Sequence, residues 1–203
     1  MRIDLHTHTL LSDGELLPIE MARRAEVMGV GGIAFTDHVS ASNIERVVEE
    51  TRRDCQLAEE WGIETVVGVE ITHVPVGRID HMVTRARKLG VELIVVHGET
   101  LAEPVQRGTN LKAVENPEVD ILAHPGLLDP EEADLARDNG VLLELTSRKG
   151  NSLSNGLVAR MALEAGAELV INTDAHGHTD LIDEHQAMRV ALGAGMSMSQ
   201  AER

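Results

Sequence analysis

Aromatic side chains are nearly missing from this 203-residue chain: Phe35 and Trp61 are the only two, and there is no tyrosine. Platforms on which successive nucleobases stack are thereby excluded, and the core has to be aliphatic. Cysteine is as scarce. Cys55 stands alone, so neither an intrachain disulfide nor a thiolate metal cluster can form, which fits a reducing compartment. Basic residues are the third shortage, with 18 Lys and Arg against 34 Asp and Glu and a formal net charge of −16. A polyanion needs a basic footprint, so long nucleic acid is not an expected partner. A small anion remains open if the site supplies its own positive charge. No apolar run approaches the ~18 residues of a membrane span, and the strand-like run from Ile3 to His8 starts too near Met1 for a cleavable leader. A cytoplasmic protein with no membrane partner is expected.

What is present is a repeating pattern. Apolar runs of strand length stand at Ile3–Leu5, Gly32–Phe35, Val66–Val69, Leu93–Val96, Ile121–Ala123, Val141–Leu145 and Leu169–Ile171. Continuous rather than alternating hydrophobicity suits parallel strands buried on both faces. Segments of helical period lie between them, at Pro18–Met28, Asn43–Trp61, Ile79–Leu89, Pro130–Asp138, Asn155–Glu164 and Leu181–Leu192. Pro18 and Pro130 suit a first helical turn, and Gly29, Gly62, Gly90, Gly140, Gly166 and Gly193 the turn after a helix. From Gly98 to Glu118 the pattern weakens to a loop with a short helix at Leu111–Val114. Such units close into a barrel or wind an open sheet; an irregular seven-unit α/β barrel spanning residues 1–203 as a single domain is the preferred reading. In both topologies chemistry belongs at the carboxyl ends of the strands.

Residues of metal-ligand type gather at those ends. His6 and His8 follow the first run, with Asp13 beyond; Asp37 and His38 follow the second, Glu70 the third, His97 the fourth, His124 the fifth, and Asp174 and His176 the last. Side chains two apart on extended backbone share a side, so His6 and His8 can converge on one cation. Any one of these histidines alone is more often a satisfied polar residue than a ligand. Their joint placement has no structural cause, and imidazoles with carboxylates but no thiolates suit two or three ions of zinc, manganese or iron.

Asp4-Leu5-His6-Thr7-His8-Thr9 with Ser12-Asp13-Gly14, then Thr36-Asp37-His38, Gly68-Val69-Glu70, Ala123-His124-Pro125 and Asn172-Thr173-Asp174-Ala175-His176 resemble the PHP family, named for polymerase and histidinol phosphatase. The resemblance runs the length of the chain in order. It implies a distorted seven-stranded (β/α)7 barrel and a trinuclear site with nine ligands. His6, His8, Glu70 and Asp174 would hold one metal; Glu70 would bridge to a second completed by His97 and His124; Asp13, His38 and His176 would hold the third. The chain looks shorter than histidinol phosphatases of that family, which leaves the substrate open.

Clustered dications ionise a shared water, clamp the oxygens of an in-line displacement, and offset the repulsion between an acidic protein and phosphate. Phosphoester hydrolysis with a metal-bridging hydroxide as nucleophile is therefore expected, a phosphomonoesterase for a small phosphorylated metabolite, with histidinol phosphate as the substrate the resemblance suggests. Arg148, after the sixth run, suits a phosphate clamp, and His73 a substrate contact or proton donor, with a surface arginine and a plain loop histidine as the alternatives. Asp37 suits a partner that orients His38 or a group nearer the chemistry. His81, His178 and His185 read as surface residues. Competing functions are a phosphodiesterase or exonuclease for short nucleotides or nucleoside bisphosphates, a C–N hydrolase on a similar barrel, and a non-catalytic metal-binding regulatory module. Lost ligands would mark the last, and none is lost. Nothing points to an oligomeric state.

Overall fold

Eight parallel strands alternate with helices in a computed structural model that describes residues 2–202. β1 (Ile3–Asp4), β2 (Gly32–Phe35), β4 (Glu64–Ile71), β5 (Leu93–His97), β6 (Ile121–Ala123), β7 (Leu142–Thr146) and β8 (Leu169–Asn172) pair in that order, and β3 (His38–Val39) adds a short stretch beside β4. The result is a nearly closed barrel of seven parallel strands. Its seam, between β8 and β1, is closed by side chains rather than by a ladder. Asn172 Oδ1 accepts from the Leu5 amide, while Asp4 accepts from the Thr173 amide and hydroxyl and from Arg2. Just beyond, the His8 amide donates to the Ala175 carbonyl at 2.8 Å.

Helices α1 (Pro18–Val27), α2 (Ile44–Ala58), α3 (Ile79–Lys88), α4 (Thr109–Val114), α5 (Pro130–Asn139), α6 (Asn155–Ala165), α7 (Glu184–Gly193) and α8 (Met198–Ala201) are set among the strands. Pro18 and Pro130 open α1 and α5 as expected. Several boundaries differ from the periodic pattern, α4 starting at Thr109 and not at Leu111. Asp183 caps α7 by accepting from the Gln186 amide, so the helix starts there and not at Leu181. Gly193 stays inside that helix, and Gly195 takes the left-handed turn. The last turn before Gly62, Glu59–Trp61, is a 3-10 turn. β3 and α8 are too short to show as periodicity.

Period-two alternation sorts the strands into two cores. Val67, Val69 and Ile71 of β4 face the helices in the large outer cluster. Inside the barrel Val95, Ile121 and Ala123 pack with Leu5, Leu93, Leu142 and Val170. Each fully buried aliphatic contributes about 1.5–3 kcal/mol, so this plug makes the lower half of the barrel a solid floor. One step further along the same inward faces the residues turn polar: His97 after Val95, Glu144 after Leu142, Asn172 after Val170. Among the described residues no helix is long and apolar enough to cross a membrane.

Candidate metal centre

The nine residues named from their strand ends all reach this polar upper layer. His6 and His8 leave β1 on one side of the chain, and their Nε2 atoms stand 3.0 Å apart. Parallel pairing sets His38 of β3 beside Glu70 of β4, and His38 Nδ1 lies 2.6 Å from Glu70 Oε2 and 2.7 Å from the Thr72 hydroxyl. Glu70 faces two ways: Oε1 is 3.4 Å from His6 Nε2 and 3.6 Å from His124 Nε2, while Oε2 looks to His38 and to His8. Asp174 Oδ1 lies 3.2 Å from His8 Nε2, and its Oδ2 lies 3.7 Å from His124 Nε2. At the open edge Asp13 Oδ1 stands 3.5 Å from His38 Nε2 and 3.3 Å from His176 Nε2.

The candidate ligand atoms fall into overlapping groups, Glu70 with His97 and His124, His6 with His8 and Glu70, and His8 with Asp13, His38 and His176. Within each group they lie within 4.8 Å of one another. Ligands about 2.0–2.1 Å from a tetrahedral ion sit about 3.3 Å from each other, the spacing seen for several of these pairs.

Backbone strain gathers at the same mouth. His73, His124 and Asp174 are the non-glycine residues with positive φ among the described residues, at 51°, 28° and 51°. Side chains resist that region, and it persists where the surroundings over-determine it. Next to His97 and His124 the chain crosses itself, and a Cβ on Gly98 would strike the Ala123 carbonyl while one on Gly126 would strike that of Glu99.

Electrostatics split the imidazoles. Burial pulls His97 down, but the Glu70 carboxylate and then Glu103 push it up to about 9. Burial and the neighbouring His97 hold His124 at about 4. Burial works against His6 too, yet Glu144, Glu70 and Asp174 raise it well above its ordinary value. Burial, with His38 beside it, drives His8 well below that value. Burial lifts the Asp174 carboxyl to about 6 against the pull of His6.

Three atoms of this layer, Glu70 Oε1, His8 Nδ1 and His124 Nδ1, are buried without a hydrogen-bond partner. An unpaired carboxylate oxygen buried among imidazole nitrogens costs several kcal/mol, roughly, unless a cation answers it. The donor set of nitrogen and carboxylate oxygen thus fits divalent metal.

Around this layer the structure places the other candidates. Arg148 is at the rim, its Nε 3.7 Å from Asp174 Oδ2 and its Nη1 3.4 Å from Asp180 Oδ2. His73 Nε2 lies 3.3 Å from Glu103 Oε2, the same oxygen that stands 3.3 Å from His97 Nε2. The Asp37 carboxylate does not touch the His38 ring through a hydrogen bond. It accepts from the Thr9 amide, the Thr9 hydroxyl and the Ser12 hydroxyl, and so holds the turn that carries Asp13. His81, His178 and His185 are exposed. An open groove of about 440 Å³, lined by Asp13, His38, Ser40, Thr72, His73 and Glu103, leads away from the cluster.

Sequence reasoning passed over three residues. Glu103 sits in a loop with no periodic signal. Asn151, buried, donates to Asp174 Oδ2 at 3.0 Å and accepts from Thr100. Glu144 is wholly buried in β7; a carboxylate inside an apolar strand was the available signal, because such a charge must be paired.

Known proteins resemble this chain in sequence and in fold. The PHP domain profile matches residues 4–185. An uncharacterized protein of Methanocaldococcus jannaschii is 47% identical over 100% of this chain and 94% of its own length. A protein of Thermoanaerobacter sp. strain X514 named as a probable phosphatase is 28% identical over 96% of this chain and 87% of its own. Among solved structures, a Listeria monocytogenes protein named as a candidate histidinol phosphatase superposes with a TM-score of 0.65 at 11% identity, covering 91% of this chain and 99% of that one. One from the work on YwqE of Bacillus subtilis and CpsB of Streptococcus pneumoniae, named as metal-dependent tyrosine phosphatases, gives 0.58 at 17% identity, covering 98% and 92%. With the PHP domain profile spanning residues 4–185, the chain belongs to the PHP family.

Proposed function

We propose that this chain is a metal-dependent phosphoesterase that removes phosphate from a small phosphorylated metabolite. What supports the reading most is Glu70, a fully buried carboxylate whose two oxygens face two different sets of imidazoles. Two to three divalent ions, of zinc, manganese or iron, are proposed. His6, His8, Glu70 and Asp174 would hold one, Glu70, His97 and His124 a second, and Asp13, His38 and His176 a third, with His8 also in reach of the last group. Bound ions supply Lewis acidity toward a phosphoryl oxygen and lower the pKa of water to near neutrality.

The chain's own groups do the rest. Arg148, turned toward Asp174 at the rim, binds phosphate oxygens through its planar guanidinium. His73 stands at the groove with Nε2 toward Glu103 and is the group to hand a proton to the leaving oxygen. The substrate's alcohol portion extends into the groove that Ser40, Thr72 and Glu103 line. A polymer is disfavoured by the net charge of −16 and by the lack of stacking aromatics.

The test joins metal analysis with a substrate screen. Purified protein should carry two or more ions per chain. In manganese or zinc it should hydrolyse phosphate monoesters, in a panel with histidinol phosphate, nucleoside bisphosphates and dinucleotides. Turnover confined to diesters would overturn the monoesterase assignment, and fewer than two ions at saturation would overturn the cluster.

A further inference from the structure

The buried carboxylate of Glu144 takes no part in the site as proposed, yet it touches two of the site's histidines by different routes. β7 is Leu142–Thr146, and Leu142 packs in the plug inside the barrel. Two residues on, Glu144 points the same way, one layer higher. There its Oε1 accepts from His6 Nδ1 at 2.7 Å and from Asn172 Nδ2 at 2.9 Å, and its Oε2 accepts from the His124 backbone amide at 3.0 Å. Both oxygens are therefore used. Glu144 binds His6 through the ring nitrogen opposite the one that faces His8 and Glu70. It binds His124 at the peptide N–H of a residue held at φ 28°, a conformation that needs outside support. Asn172 in turn accepts from the Leu5 amide next to His6, so one hydrogen-bonded chain joins β1, β7, β8 and the loop after β6.

We infer that Glu144 is a positioning residue: its carboxylate fixes the His6 ring and the His124 turn together, so that both present Nε2 to the same ion-binding layer. A carboxylate on the far nitrogen of a ligating imidazole sets its tautomer and orientation and raises its basicity, and removing such a partner costs about 10–100-fold in metal affinity or activity. The inference rests on the metal-site reading above, and manganese titration of the metal-free protein separates the two. If unaltered protein binds neither manganese nor, in a parallel titration, zinc or ferrous iron, that reading fails.

If it binds, the comparison with Glu144→Gln decides. The amide keeps the volume but removes the charge and cannot accept at both ends. With circular dichroism and melting temperature of the metal-free variant close to the unaltered protein, manganese affinity should fall about 10–100-fold with the same number of ions at saturation, and excess manganese should restore turnover. Affinity within twofold of the unaltered protein would overturn the inference, and one ion fewer at saturation would overturn it in favour of direct ligation by Glu144. Glu144→Asp, which retains the charge but is too short to reach both histidines, decides by the same ratios should the amide not fold. Loss of the metal-free fold in both variants would overturn it and make Glu144 a folding residue.

Discussion

The inner and outer halves of the mouth are built differently. His6, His8 and Glu70 have no exposed surface and Asp174 has 3%. Asp13 and His38, by contrast, expose 57% and 26% of their side chains. Inner residues sit on strands, or on strained turns just beyond them, and buried partners such as Glu144 and Asn151 tie them down. Asp13 lies on a loop held at one remove by Asp37. Rotamers are thus already fixed inside, whereas at the edge the exposed Asp13 side chain must be ordered by whatever binds. On entropy alone, the inner half should bind metal first and hold it longest.

Substitution can break this contrast. Glu70→Gln removes the one carboxylate shared by two groups, and kcat on an aryl phosphate should fall by about 10³-fold or more with metal content reduced. Asp13→Asn should cost less, about 10–100-fold, and should be largely rescued by millimolar manganese, because only the exposed edge is weakened. Equal, unrescuable losses would erase the distinction between the halves.

Metal removal gives a thermal measure of the same contrast. Each ion present at about 100 times its Kd contributes about 2.7 kcal/mol, so chelation should lower Tm by about 5–10 °C per ion lost. The pH slope sharpens it. In metal-free protein His97, raised to about 9, and His6 and His38, also raised, bind protons that the unfolded chain has released. Their stabilisation is complete below about pH 6.5 and is lost as pH rises above it, for His97 through about 9. His8 and His124, both depressed, are already neutral across that window. Metal-free protein should therefore lose Tm from pH 6.5 to 9, while the manganese-loaded protein should gain it, since metal competes with those protons. Parallel slopes in a melt series would show that these imidazoles do not bind metal.

How much of this was written in the sequence depends on the kind of signal. The barrel could be read because the buried strands are apolar runs and helices between them close on glycine, and the nine candidate ligands because they stand at or just beyond the run ends. β3 could not, since two residues have no period. Glu144 was visible as a letter but not as a partner: its two histidines come from positions 6 and 124, and only closure of the barrel brings them together. Glu103 meets His97 through a loop path that no spacing encodes. Asp37 shows the converse, adjacent to His38 in sequence but bonded to the turn after His8.

Arg148 carries the smallest expected effect and probes the rim between the halves. Its guanidinium faces Asp174 of the inner layer and Asp180 of the loop beyond, and 32% of the side chain is exposed. Those carboxylates already engage the cation, so a phosphate would share it and not claim it whole. A charge-assisted hydrogen bond is worth about 1.5–3 kcal/mol where buried, and exposure puts this one at the lower end, about tenfold in an equilibrium constant. Arg148→Ala should then raise KM for a phosphate monoester about tenfold, with kcat changed less than threefold and metal content intact. Arg148→Lys should recover only part, because an ammonium cannot take two oxygens in one plane. An unchanged KM would return Arg148 to the role of a tether for the Asp174 turn. That role predicts loss of metal in place of loss of substrate affinity, so metal analysis of the same variant tells the two apart.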